Sequence, residues 1–95
     1  MATSVQLTLL SNASASGSEV EWPGGEGEFA VEAGTWNGAS VELHKKGPNG
    51  TFSLLANELR FTSNGFGGFL SGAGTLKAVI SGSPTGVYAT VKGMD

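Results

Sequence analysis

Apolar and polar residues alternate along much of this chain. Phe29, Val31 and Ala33 are interleaved with Glu28, Ala30 and Glu32, and Val41 and Leu43 with Ser40, Glu42 and His44. Side chains of a strand point alternately to its two faces, so this period of two predicts strands with one face buried. The same alternation marks residues 5–10, with Val5, Leu7 and Leu9 on one side, and residues 75–81, with Leu76, Ala78 and Ile80 inward. In residues 87–91 it puts Tyr88 and Thr90 outward, followed by Lys92. Shorter strands are expected over 19–22, 51–56 and 59–62. The glycine-dense stretch 64–74, built around Phe66, Phe69 and Leu70, reads as an irregular strand with bulges. Glycines interrupt every window long enough for a three-turn helix, so no helix competes.

Turn residues divide these segments. Pro23-Gly24-Gly25 ends the second strand, because proline donates nothing to a ladder and glycine reaches the angles turns need. Gly34-Thr35-Trp36-Asn37-Gly38 has the length of a hairpin loop, which predicts that strands 28–33 and 39–45 pair and that Glu28 lies beside His44. Gly47-Pro48-Asn49-Gly50 is the strongest turn signal: proline presets the first central angle of a type I turn, and Asn-Gly accepts positive φ after it. Residues 11–18, all small or polar, read as a loop tethering the N-terminal strand 5–10. That strand is therefore the one most apt to swap onto a neighbouring chain. About eight short strands with turn signals between them predict an all-β, antiparallel β-sandwich, jelly-roll-like in strand count, although other Greek-key sandwiches share that count.

Length and charge narrow the function. Ninety-five residues make one domain spanning 1–95. A chain of this size buries only about 60–70% of its unfolded surface, so association would add useful stability. It has no cysteine, hence no disulfide scaffold and no zinc-thiolate site. Charged residues are 14% of the chain, five basic and eight acidic, for a net charge of −3. Lys45, Lys46, Arg60, Lys77 and Lys92 are scattered and form no basic stripe, which argues against nucleic acid or an anionic membrane as partner. No apolar run approaches a membrane span, and no basic region precedes the first strand, so the chain reads as soluble, unexported and complete.

Candidate chemistry is sparse. His44, the single histidine, shares a strand face with Ser40 and Glu42, but at i, i+2 and i+4 these lie roughly 7 Å apart per step, with no oxyanion element nearby. An ordinary cross-strand pair of His44 with Glu28, on the hairpin expected above, explains both residues better than a triad. Glu19, Glu21, Glu26, Glu28, Glu32 and Glu42 concentrate acid in one half of the chain, yet alternation puts most of them on solvent faces and no calcium-loop spacing occurs. No metal, cofactor or catalytic group is expected, and the chain reads as a non-enzyme. The sequons at Asn12 and Asn49 carry weight only in an exported protein.

Aromatic residues offer more. Trp22, in phase with Val20, is expected to close one end of the core. Trp36 stands in a loop, where its indole either folds back over the core or meets a partner, and large aromatics are enriched at interface hot spots. Trp36, Asn37 and the outward Tyr88 are the candidate interface.

The order Trp22-Pro23-Gly24-Gly25, Gly27-Glu28-Phe29-Ala30-Val31, Gly34-Thr35-Trp36-Asn37-Gly38 and Gly47-Pro48-Asn49-Gly50, continued by Ala73-Gly74 and by Val79-Ile80-Ser81-Gly82-Ser83-Pro84-Thr85-Gly86-Val87-Tyr88-Ala89, resembles small β-sandwich virion structural proteins of tailed bacteriophages, of the capsid decoration or cement type. The matching positions are turn and core residues, so no binding residue comes with them. The resemblance implies a protein assembled in the host cytoplasm that binds the major capsid protein noncovalently at the capsid surface of the virion. Docking at symmetry axes would make it a homo-oligomer, a dimer or trimer. A second reading keeps the sandwich as a carbohydrate-binding or receptor-binding module of a tail or fibre, with Trp36 and Tyr88 as stacking platforms and Asn37, Glu42 or His44 as hydrogen-bonding partners.

Overall fold

A computed structural model describes residues 5–93. These residues form nine strands: β1 (Gln6–Ala13), β2 (Val20–Trp22), β3 (Gly25–Thr35), β4 (Ser40–Lys46), β5 (Phe52–Leu54), β6 (Arg60–Phe61), β7 (Gly65–Ser71), β8 (Gly74–Ser81) and β9 (Thr85–Gly93). A single 3-10 turn, Asn57–Leu59, drops Leu59 into the core. All the pairings are antiparallel, and they build two sheets, β1-β9-β3-β7 and β2-β8-β4-β5, with the two-residue β6 also on β4. With β6 set aside, the partners are nested: β1 with β9, β2 with β8, β3 with β7, and β4 with β5. The chain is one long hairpin rolled up around its β4–β5 tip, which is the jelly-roll path through a β-sandwich.

That path corrects the hairpin expected between β3 and β4. The two strands lie in different sheets, and residues 36–39 form the corner between them. Asn37 and Gly38 both take positive φ, 51° and 72°, and the Ala39 amide donates to the Trp36 carbonyl at 2.8 Å. These two angles reverse the chain tightly, as expected, but β4 then runs in the opposite layer. Glu28 is consequently not beside His44: its register partners are Gly68 and Lys92, while those of His44 are Leu54 and Lys77. The Gly47–Gly50 turn does join paired strands, closed by Gly47 N–H to the Thr51 carbonyl at 2.8 Å, with Gly50 at φ 89°.

Between the layers lie Phe29 and Val31 of β3, Val41 and Leu43 of β4, Leu76 and Ala78 of β8, and Val87, Ala89 and Val91 of β9, all inward in the phase the alternation requires. Two elements depart from the sequence reading. β1 runs on to Ala13, past the expected loop boundary, and a register shift between Thr8 and Leu10 lets the consecutive Leu9 and Leu10 both enter the core. It pairs with β9 of the same chain. β7, by contrast, is straight, in unbroken register with β3 from Gly25↔Ser71 to Val31↔Gly65. Its inward glycines mark close approach rather than bulges. A Cβ on Gly67 would meet Leu59 at 3.0 Å and Phe61 at 3.1 Å.

Trp22 closes the end of the core as expected. Its ring packs on Phe69 with centroids 5.1 Å apart, and its indole N–H donates to the Ser71 carbonyl at 3.3 Å. Both rings lie over Gly27, where a Cβ would approach each to 2.7 Å. Absence of a side chain at this β3 position is what lets the Trp22–Phe69 pair seat.

Candidate functional site on the four-stranded sheet

Whatever faces inward on β3, β7 and β9 leaves the intervening residues on the outer surface of their sheet. Outward from β7 come Phe66, Gly68 and Leu70; from β3, Glu26, Glu28, Ala30 and Glu32; from β9, Tyr88, Thr90 and Lys92. Phe66 and Leu70 are 73% and 75% exposed and Tyr88 46%, and these are the large hydrophobic side chains left open to solvent among the described residues. The register explains their arrangement. Ala30 lies between Phe66 on one neighbour and Thr90 on the other, while Tyr88 stands one pleat further along, opposite Glu32. The small Ala30 thus forms a floor flanked by two rings, and the resulting groove encloses about 440 Å³, lined also by Asn64 and Glu32. Glu26, Glu28 and Glu32 set three carboxylates along β3 against the one ammonium of Lys92.

Trp36 folds back. It is half-buried against the core, and its indole N–H donates to Asn64 Oδ1 at 2.9 Å. The same oxygen accepts the Ala33 amide at 3.0 Å, so Asn64 ties the end of β3 to the corner. Asn37 is exposed and donates from Nδ2 to the Ser83 carbonyl at 3.0 Å. Of the three candidate interface residues, then, Tyr88 lines the groove; Trp36 reaches it only through Asn64, and Asn37 belongs to the adjacent corner. Phe66, Leu70 and Asn64 escaped the sequence reading. The signal for the first two was present, since Phe66, Gly68 and Leu70 alternate with Gly65, Gly67 and Phe69, but the glycine density masked it as an irregular strand.

The other residues with chemical potential lie on the opposite sheet. Glu42 binds His44 Nε2 at 2.8 Å through one carboxylate oxygen and Arg60 Nε at 2.9 Å through the other. Ser40, expected beside them on an exposed face, is instead buried, at 4% exposure. Among the described residues no three His, Cys, Asp or Glu side chains gather as a metal site would require. No helix among the described residues is long and apolar enough to cross a membrane.

The sequence matches no family model and no curated protein. Among solved structures, it is similar to the crystal structure of the SPBc2 prophage-derived protein YomS, with a TM-score of 0.71 and 14% identity over 95% of this chain and 90% of that one. A likeness at that identity speaks for the fold alone, shared over nearly the whole of both chains.

Proposed function

We propose that this domain is a bacteriophage virion structural protein of the decoration type, which binds the major capsid lattice noncovalently through the outer face of β7, β3 and β9. The observation that carries the reading is the concentration of Phe66, Leu70 and Tyr88, all exposed, on one sheet face. Aromatic side chains in a shallow groove are what hot-spot contacts are made from. The acidic row of Glu26, Glu28 and Glu32 would select a partner surface of opposite charge. The prophage origin of a structural neighbour and the resemblance of the turn and core residues both support placement in a phage particle.

Co-sedimentation with capsids of the parent phage tests the reading. Wild-type protein is expected to pellet with the heads, and Phe66→Lys combined with Tyr88→Ala to remain in the supernatant while keeping its thermal midpoint. Undiminished pelleting of that double variant would overturn the assigned face, and cryo-electron microscopy density on the tail alone would overturn the decoration role.

A sugar-binding reading is favoured by one feature, the two rings flanking the groove with the Glu32 carboxylate and Asn64 beside them. On it the stacking pair is Phe66 and Tyr88. A glycan array in which a signal disappears in Tyr88→Ala would select this alternative.

A further inference from the structure

The two sheets have four edges among the described residues: β1 and β7 in one sheet, β2 and β5, with the two-residue β6 in line with it, in the other. An unpaired edge is a template for another strand, and proteins commonly blunt it by shortness, bulges, charge or proline. Three of these edges are blunted. β2 and β5 are three residues each, and β1 is broken by two register shifts, with Asn12 at positive φ. The fourth, β7, is seven residues long, Gly-Phe-Gly-Gly-Phe-Leu-Ser, with no charge, no proline and no register shift. Among the described residues, no hydrogen bond from outside the sheet reaches residues 65–70.

We propose that the free edge of β7 pairs antiparallel with β7 of a second copy, about a two-fold axis at Gly68, joining two four-stranded sheets into one of eight strands. The sequence of β7 is self-complementary about that centre. A residue at 68+n faces the partner's 68−n, so Phe66 of each copy meets Leu70 of the other on the outer face. On the inner face each Phe69 stays seated on Trp22 over Gly27, and the partner residue opposite it in register, Gly67, brings no side chain against it. At the axis Gly68 faces itself, so no side chain obstructs the approach. Isologous contacts of this kind close after two copies and do not propagate.

Charge permits the pairing as well. The nearest row of carboxylates, Glu26, Glu28 and Glu32, lies one strand back in each copy. Across β3, β7 and the two partner strands, equivalent glutamates would stand about 14 Å apart, given strand spacings of 4.7–4.9 Å, which exceeds the screening length at physiological salt. A partner strand carrying charge would gain nothing from β7, which offers none. A strand pair alone buries less than the roughly 1,200 Å² of a stable complex, so the free protein is expected to dimerise weakly.

The pairing goes beyond the capsid reading and is tested without capsids. The chain has no native cysteine. A Cβ at Gly68 would meet only the Gly27 carbonyl oxygen, at 3.9 Å, an ordinary contact, so Gly68→Cys should fold as wild type. In the proposed register the two Cys α-carbons stand roughly 4.5–5.5 Å apart, inside the range a disulfide spans. With oxidised glutathione and concentrated protein, Gly68→Cys is expected to form a covalent dimer at least tenfold faster than Ser53→Cys on the short β5 edge. Adding Leu70→Lys to Gly68→Cys should slow it tenfold. Phe66→Cys alone should not link to itself, its copies being four residues out of register, about 13 Å, whereas an equimolar mixture of Phe66→Cys and Leu70→Cys should give the mixed dimer. Linking of Gly68→Cys no faster than the Ser53→Cys control, or equal linking of Phe66→Cys to itself, would overturn the proposal and leave the capsid reading untouched.

Discussion

The outer faces of the two sheets are made from the same strand geometry and finished differently. On the five-stranded sheet several polar groups are matched: Glu42 is shared by His44 and Arg60, Thr75 donates to Glu21 at 2.9 Å, and the Lys77 ammonium sits 4.3 Å over the Phe52 ring. On the four-stranded sheet the ordering is reversed. Glu26, Glu28 and Glu32 enter no ion pair among the described residues, and Phe66, Leu70 and Tyr88 lie open. A face whose charges are largely paired internally presents little to a partner that water does not already supply. One whose rings are exposed and whose carboxylates are unmatched gains from being covered. The two faces share a core but not a purpose.

Substitutions that probe this contrast should separate stability from binding. Phe29, buried between the layers and edge-on to Phe61, is the reference: Phe29→Ala is expected to cost about 3–5 kcal/mol in urea unfolding. Gly27→Ala comes next. Its methyl group must displace the Trp22 and Phe69 rings, for about 1–3 kcal/mol, together with a change in tryptophan fluorescence. Asn64→Ala removes the acceptor shared by the Trp36 indole and the Ala33 amide and should cost about 1 kcal/mol, because both donors are close enough to solvent to find water. On the matched face, Glu42→Gln should cost no more than about 1 kcal/mol, shrinking with added salt, since the Arg60 partner is half exposed. Smallest of all in stability, Phe66→Ala and Tyr88→Ala should shift the unfolding free energy by less than about 0.5 kcal/mol while weakening capsid binding at least tenfold. If Phe66→Ala instead destabilises the domain as much as Asn64→Ala does, the open face is structural and the contrast fails.

Which side of β3, β4, β8 and β9 turns inward was legible from the alternation, Ser40 excepted. The alternation at Phe29, Val31, Val41, Leu43, Leu76 and Ala78 is a local property of the backbone, and the structure keeps it. Which strands pair was not legible, because pairing is decided across the whole chain. The Gly34–Gly38 segment has the right length for a hairpin and the right residues for a tight turn, yet the same residues serve equally well to turn a corner between layers. The nested order of partners made the difference, and no window of ten residues contains it. β7 was hidden for another reason. Glycine signals both a bulge and a close approach, and only the positions of Leu59 and Phe61 beneath Gly67 tell the two apart. The groove inherited that ambiguity, since one of its walls is Phe66.

The pairing of the first strand with the last has a kinetic meaning. Gln6 lies opposite Lys92, and the Gly93 amide donates to the Val5 carbonyl at 2.6 Å, so closing this pair requires ordering a loop that contains nearly the entire domain. Such distant pairings are slow to find, because the entropy of closure is lost before the contacts form. The rolled hairpin should therefore assemble from its β4–β5 tip outward, with β1 docking last. A circular permutant that links residue 93 to residue 5 and opens the Pro48-Asn49 turn would make the last contact local and the first one remote. It should preserve the same sandwich and reverse the order in which its strands acquire protection from hydrogen exchange.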